Sequence, residues 1–420
     1  MSRPLALVFC LAFLSGVQAT GVFNLYGFDS PNPTAIGNVR DGSMLYLASS
    51  DKAVKLSKIT LSTNGQTITL DKLLASFDDN GFTKGWPVNS DLTIATTNDA
   101  NTTNYLSGFF FISSPEMAND PNFLVYLVSD QKITIDRLTN TETTLVLLNL
   151  RKEKSATDPV YKPLYNTRVE NFQQPKTTKL YMYHSTPEDG YTDPFYTGTV
   201  QKMILANPVS LYPTGNPDAD TYFFDNIEPV QFSLSSWHIR AVGGIKFDVS
   251  QNYVDSSTYT TTNQTTTGYT MNQRGTYNTT INLKSSNDPN VLMGLLVSTE
   301  LFSNVDIYMC NALECTMKNL IDTQQLAADY SQEILNATAI YVVPSSISSG
   351  LYYVQYFRIE GYVPVPIPTT TPGSTTGSVP TNPAGFSATT PKSVESTTKS
   401  AATLLTIFSL VIPFLYFSWA

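Results

Sequence analysis

Only two histidines, His184 and His238, and three cysteines occur in this 420-residue sequence. A hydrolase that relies on an imidazole base therefore has two candidates, each in a strand-like setting. His238 lies inside SWHIRAV, and His184 ends LYMYH just before a turn. A packed strand residue is the simpler role for both. No G-x-S-x-G, H-E-x-x-H, P-loop or Rossmann glycine pattern is present, which argues against nucleotide and zinc enzymes; no cofactor is expected. Charged residues make up 14% of the chain, with 25 Lys and Arg against 34 Asp and Glu. The sequence shows no clustered Lys/Arg face of the kind that phosphate binding needs, so nucleic acid is not an expected partner.

Long apolar runs are confined to the two ends. MSRPLALVFCLAFLSGVQAT carries one charge at Arg3, an apolar run from Leu5 to Leu14, and a small-residue exit at Ala19. That order predicts a secretory signal peptide over 1–19, since the run is too short to span a bilayer. The second run, Leu404 to Ala420, has 17 residues without charge. As a helix it reaches about 25 Å, against a hydrocarbon core of about 30 Å. No Lys or Arg flanks it on the distal side, and small residues and a polar spacer precede it, the order of a glycosylphosphatidylinositol attachment signal. Residues 388–420 are expected to be removed, with attachment at Ser387 or, alternatively, Ser396. The mature chain would then lack Arg3, Lys392, Lys399 and Glu395, leaving 22 basic and 33 acidic residues.

Cys10 leaves with the signal peptide. Cys310 and Cys315, in MCNALEC, are expected to pair in an oxidising compartment. So small a loop contributes about 2 kcal/mol before strain, enough for a local turn only. A metal role for the pair is disfavoured, because zinc needs four ligands and neither histidine is close in sequence. Asn101, Asn263, Asn278 and Asn336 each begin an Asn-x-Ser/Thr acceptor, which predicts surface positions for all four.

Between the ends the pattern is β. In KITLSTNGQTITL, an Asn64-Gly65 turn would pair Leu61 with Ile68, Thr60 with Thr69, and Ile59 with Leu70. A second hairpin is expected from Phe123–Val128 through Ser129-Asp130 to Lys132–Leu138. The polar, proline-containing stretch 151–179 reads as a domain boundary near residue 160. Short apolar segments resume after it, with one exception. In Met317–Ala337, Leu320, Ala327 and Ile334 recur at sevens, which predicts a helix. The Thr-rich stretch 257–282 fits a glycosylated loop or edge strands. The expected architecture is mainly β, with two tandem antiparallel β-sandwich or jelly-roll-like domains over 20–160 and 161–362, one helix in the second. A Pro/Thr/Ser-rich stalk follows over 363–387, unable to bury a core.

Carboxylates and aromatics are the remaining chemical resources. Asp78 and Asp79, or Asp218, Asp220 and Asp225, offer oxygen ligands for calcium but match no calcium-loop pattern, and turn chemistry explains them. No metal site is assigned. Phe82 and Trp86 are candidate aromatic anchors for a sugar ring or a partner surface, as are Tyr191, Phe195 and Tyr196, although loop packing explains such residues more often.

The sequence of signal peptide, two N-glycosylated β regions, Ser/Thr/Pro stalk and lipid-anchor tail resembles nematode secreted surface glycoproteins carrying CUB-like domains. The resemblance is one of architecture, and it implies β-sandwich modules displayed at a cell surface or secreted, with a role in defence against microbes. The chain departs from ordinary CUB domains in having no cysteine in its first half and only Cys310 and Cys315 in its second. The expected function is a non-enzymatic glycoprotein on the extracellular face of the plasma membrane, held there by lipid and presenting β domains to a glycan or protein ligand. The alternatives are an extracellular carbohydrate-active enzyme using paired carboxylates, or a single-pass membrane adhesion protein.

Overall fold

A computed structural model describes residues 21–362, apart from 75–80, 139–140, 154, 159–161, 188–202, 212–220, 256, 272–277, 301–303, 322–326 and 346–350. The expected signal peptide, stalk, attachment residues Ser387 and Ser396, and apolar tail therefore lie outside the described residues. So do Asp78, Asp79, Asp218, Asp220, Tyr191, Phe195 and Tyr196. The chain divides into two compact units, 1–364 and 365–420, and every described residue falls in the first.

The architecture is mainly β, with sheets stacked in three successive pairs. In the first pair, a sheet ordered Gly21–Asn24, Phe109–Ile112, Ser43–Ala48, Trp86–Val88 faces one ordered Thr34–Ala35, Thr93–Thr96, Ile59–Thr63, Gln66–Thr69. The core between them holds Leu45, Leu47, Phe110 and Ile112 from one sheet and Ile59, Leu61 and Ile94 from the other. The second pair joins Met203–Asn207, Lys179–His184, Ser236–Val242, Glu142–Asn149 and Phe123–Val128 in one sheet. Its partner runs Ile133–Arg137, Ile245–Ser250, Thr167–Gln173, Val230–Phe232. Trp237, Ile239, Leu145 and Leu147 meet Ile135, Phe247, Val249 and Phe232 in that core. The third pair sets Thr258–Thr260, Thr279–Asn282, Ala339–Pro344, Asn304–Cys310, Cys315–Ile321 against Thr266–Met271, Leu351–Glu360, Val291–Glu300, Ala327–Ile334.

This pairing corrects the division at residue 160. Glu142–Asn149 bonds antiparallel to Ser236–Val242 and parallel to Phe123–Val128, so one sheet contains strands from both sides of the expected boundary. The polar stretch that suggested a linker runs between sheets of a single sandwich. The reason lies in the apolar run TTLVLLN, buried from Thr143 onward on both faces. Leu145 and Leu147 enter the second core while Val146 and Leu148 pack with Tyr46, Phe109 and Phe111 of the first sandwich. Phe109–Ile112 behaves alike, with Phe110 and Ile112 inward and Phe109 and Phe111 toward the neighbour. A strand buried on both sides loses its polar alternation, and here that loss marks where sandwiches stack. Between the second and third sandwiches, buried Gln355 donates from Nε2 to Ala206 O (2.7 Å) and accepts from Ala206 N at Oε1 (2.9 Å), standing in for a strand neighbour.

Local expectations fared unevenly. The Asn64-Gly65 turn has both residues at positive φ, 49° and 69°, and pairs Leu61 with Ile68 and Thr60 with Thr69. The expected Ile59–Leu70 pair is absent, because Leu70 begins a short helix, Leu70–Leu74, that turns it into the core. The second hairpin is not formed: Ile133–Arg137 crosses to the facing sheet and pairs with Ile245–Ser250. Ser129-Asp130 lacks the positive-φ preference that closes a tight hairpin, and the crossing gives both strands a buried face. The helix expected over Met317–Ala337 is replaced by strands Cys315–Ile321 and Ala327–Ile334. Each has an edge waiting for it, Asn304–Cys310 for the first and Val291–Glu300 for the second, and ladder formation outweighs a seven-residue repeat whose centre is only alanine. Cys310 and Cys315 are bonded across the turn that starts this hairpin.

Candidate functional site

Both histidines are structural. His238 is buried, stacks on Tyr183 with ring centroids 4.9 Å apart, and places Nδ1 2.8 Å from Ser185 O. Burial pushes its pKa down to about 4, against the opposing pull of that carbonyl. His184 Nδ1 lies 3.0 Å from the Tyr353 hydroxyl. The two candidate aromatic anchors are engaged in packing. Trp86 is half-buried on a strand paired with Leu45 and rests on the first core. Phe82 meets Tyr126 edge-on at 5.9 Å. Asp225 is exposed and pairs with Lys176 at 3.0 Å.

Of the glycan acceptors, Asn101, Asn263 and Asn278 are exposed, but Asn336 is half-buried. Its Nδ2 donates to Ser286 O (3.2 Å) and its Oδ1 accepts from Nη2 of the buried Arg358 (3.2 Å).

Two recesses among the described residues are rich in polar side chains. The smaller, about 160 Å³, is lined by Arg168, Gln231, Tyr259, Tyr269 and Tyr356. Behind it sits Glu228, 1% exposed, whose oxygens accept from Thr262 N (2.8 Å), Thr266 Oγ1 (2.9 Å), Asn226 Nδ2 (3.2 Å) and the Tyr259 hydroxyl. Burial and this carboxyl neighbour both push the Tyr259 pKa far up. Glu228 thus ties the Thr262–Thr266 turn to the strand Thr258–Thr260; a carboxyl so surrounded by donors is a structural node.

The larger recess, about 740 Å³, is lined by Ser50, Asp51, Lys52, Lys55, Asn104, Tyr105, Ser107, Asp130, Arg151, Lys152 and Glu153. Its geometry follows from three anchored segments. Leu56 is buried and pins the single-turn helix Ala53–Leu56, leaving Lys52 and Val54 outside. Asp99 caps Ala100–Asn104 by accepting from Thr102 N (2.7 Å), and Thr103 is buried. That helix therefore carries Tyr105 outward at its C-terminal end, 78% exposed. Arg151 and Lys152 follow closely on the strand Glu142–Asn149 of the second sandwich, joined to the first by Ser50 Oγ donating to Arg151 O (2.7 Å). Asp51 is consumed locally, accepting from Ser107 N (3.0 Å), Gly108 N (2.8 Å) and Ser49 Oγ (2.8 Å). Lys152 pairs with Asp130 at 2.5 Å. Among the described residues, the side chains of Lys52, Lys55 and Arg151 make no hydrogen bond or ion pair. The sequence contained the signal, Lys52-x-x-Lys55 and Arg151-Lys152 in a sparsely charged chain, but about 100 positions separate the two pairs.

A family model described as a transmembrane glycoprotein matches residues 40–415, which takes in the second and third sandwiches, the first apart from its strands Gly21–Asn24 and Thr34–Ala35, and most of the C-terminal apolar run. The chain belongs to this transmembrane glycoprotein family. Membership makes it a glycoprotein of the membrane or cell surface. No CUB domain and no nematode link accompany the match. Among the described residues, no helix is long and apolar enough to cross a membrane. No curated protein matches the sequence. Among solved structures, an uncharacterised protein from Listeria monocytogenes is similar at 9% identity, over 78% of this chain and 29% of its own, with a TM-score of 0.18. A triple-jelly-roll structure of an archaeal virus is similar at 12% identity, over 83% of this chain and 97% of its own, TM-score 0.14. The stem and receptor-binding domain of the spike protein P1 of bacteriophage PM2 gives 8% identity, 55% and 98% coverage, and 0.13. Scores this low carry no argument, and the fold rests on the strand pairing itself.

Proposed function

We propose that this family member is a non-catalytic, lipid-tethered glycoprotein that presents its stacked β-sandwiches on the outer face of the plasma membrane for ligand recognition, in keeping with a role in defence. The observation that carries the surface location is the glycoprotein family match running from the folded sandwiches into the apolar run that begins at Leu404. The exposed acceptors Asn101, Asn263 and Asn278 support it, as does the commitment of Glu228 and Asp51 to local hydrogen bonds rather than to a reacting centre. The small residues and polar spacer before the apolar run support lipid attachment, at Ser387 or Ser396.

Expression of the full chain in cultured animal cells tests this directly. Surface biotinylation should label it, peptide N-glycosidase should raise its gel mobility, and phosphatidylinositol-specific phospholipase should release it. Surface labelling without release would replace the lipid by a retained span, and absence of surface label would overturn the whole reading.

A further inference from the structure

We infer that the recess bounded by Lys52, Lys55, Tyr105 and Arg151 is a binding site for an acidic saccharide, one bearing carboxylate or sulfate groups. The chain carries a formal net charge of −9, yet this recess reverses the sign. Four cations line it against three acids, and two of those acids are already committed, Asp51 to backbone N–H groups and Asp130 to Lys152. Three of the cations make no hydrogen bond or ion pair there, and the one acid left uncommitted, Glu153, leaves the recess with a surplus of positive charge. Charge-assisted hydrogen bonds from such groups are the strong ones, and Arg151 offers a planar fork that matches a carboxylate or sulfate.

The aromatic at the rim narrows the class from any anion to a sugar. Tyr105 presents a flat ring at 78% exposure, beside the side-chain amide of Asn104. A second tyrosine, Tyr26, is 55% exposed on the Leu25–Gly27 turn, which packs against the Ala100–Asn104 helix. A pyranose ring has an apolar face that stacks on such a ring and an equatorial hydroxyl rim that an amide can bond. A recess of about 740 Å³ lies within the roughly 300–1,000 Å³ range of small-ligand sites. The three segments that carry these groups are fixed by the buried Leu56, the Asp99 cap and the hydrogen bond from Ser50 Oγ to Arg151 O, so the site is pre-formed. This inference rests on the surface reading only for where the ligand would be met, and its test does not depend on the tether.

Full-length protein, solubilised in mild detergent and immobilised, is exposed to a heparin-derived hexasaccharide, to sialyl-lactose, and to neutral lactose. Binding of either acidic probe but not lactose is expected. Response to the hexasaccharide alone assigns sulfate as the anion, and response to sialyl-lactose alone assigns carboxylate. The double variant Lys52→Glu/Lys55→Glu should weaken binding at least about tenfold, Arg151→Ala comparably, and Tyr105→Ala about threefold to tenfold, each with an unaltered unfolding curve. Raising salt to about 0.5 M should weaken the wild type and leave little further effect in the double variant. Failure of both acidic probes overturns the inference. So does binding that lactose matches, or an equal loss in the control Lys84→Glu, an exposed cation that does not line the recess.

Discussion

Around Glu228 each carboxyl oxygen accepts from hydroxyl or amide donors, whereas Lys52, Lys55 and Arg151 line one recess without a hydrogen bond or ion pair. Both places are recesses rich in polar side chains, and by chemical type the buried Glu228 carboxyl, bonded to the Tyr259 hydroxyl, looks the better catalytic prospect. The difference teaches that saturation of hydrogen-bonding capacity, more than chemical type, separates a structural node from a site. A buried acceptor that has all its donors stabilises the fold and has little left to offer a ligand. Cations without a partner on anchored segments, exposed at Lys52 and half-buried at Lys55 and Arg151, remain available to a ligand.

The largest effect should come from breaking the saturated side. Glu228→Ala leaves the Tyr259 hydroxyl, Thr262 N–H and Thr266 hydroxyl without their acceptor in a buried setting, and should lower unfolding free energy by about 3 kcal/mol or more in urea titrations. A loss below about 1 kcal/mol would show that the network is not structural and would reopen the smaller recess as a site.

Next comes acid. His238 is buried and neutral, with a folded-state pKa pushed by burial from its ordinary 6.5 down to about 4, and His184 and Arg240 are neighbours that lower it further. Between those values the unfolded chain binds the extra proton, so stability is full above about pH 6.5 and is lost as pH falls toward 4. The slope should flatten in His238→Phe, measured by thermal melts across that range, whereas variants in the larger recess should leave it unchanged. The smallest effect belongs to the recess itself: Lys52→Glu/Lys55→Glu should shift unfolding free energy by no more than about 0.5 kcal/mol. A larger loss would mean that these cations hold the sandwiches together, and the contrast with Glu228 would fail.

Much of the β character was legible from alternation, and the Asn64-Gly65 hairpin was legible down to two of its cross-strand pairs, because a tight turn with two positive-φ residues fixes register locally. The Met317–Ala337 stripe misled because a heptad repeat reports only its own spacing, while the strand edges that captured it lie at Asn304–Cys310 and Val291–Glu300. The division at residue 160 misled for a related reason, since strand partners such as Glu142–Asn149 and Ser236–Val242 are chosen by burial on two faces, not by proximity. At the candidate site, the aromatics singled out in sequence, Phe82 and Trp86, are spent on packing, while Tyr105 went unnoticed. Exposure depends on where Thr103 is buried and the helix ends.

By itself the sequence determined the chemistry available: a sparsely charged, strand-forming chain with Asn-x-Ser/Thr acceptors, one Cys310–Cys315 pair, and its longest apolar runs near its two ends. Those properties are local, readable from residue type and near-neighbour spacing. Tertiary structure decided the rest, namely that there are three stacked sandwiches, that Glu228 is saturated, and that Lys52 and Lys55 meet Arg151. Each of these depends on contacts between residues tens to about a hundred positions apart, whose pairing is selected by buried area and satisfied hydrogen bonds across the whole fold.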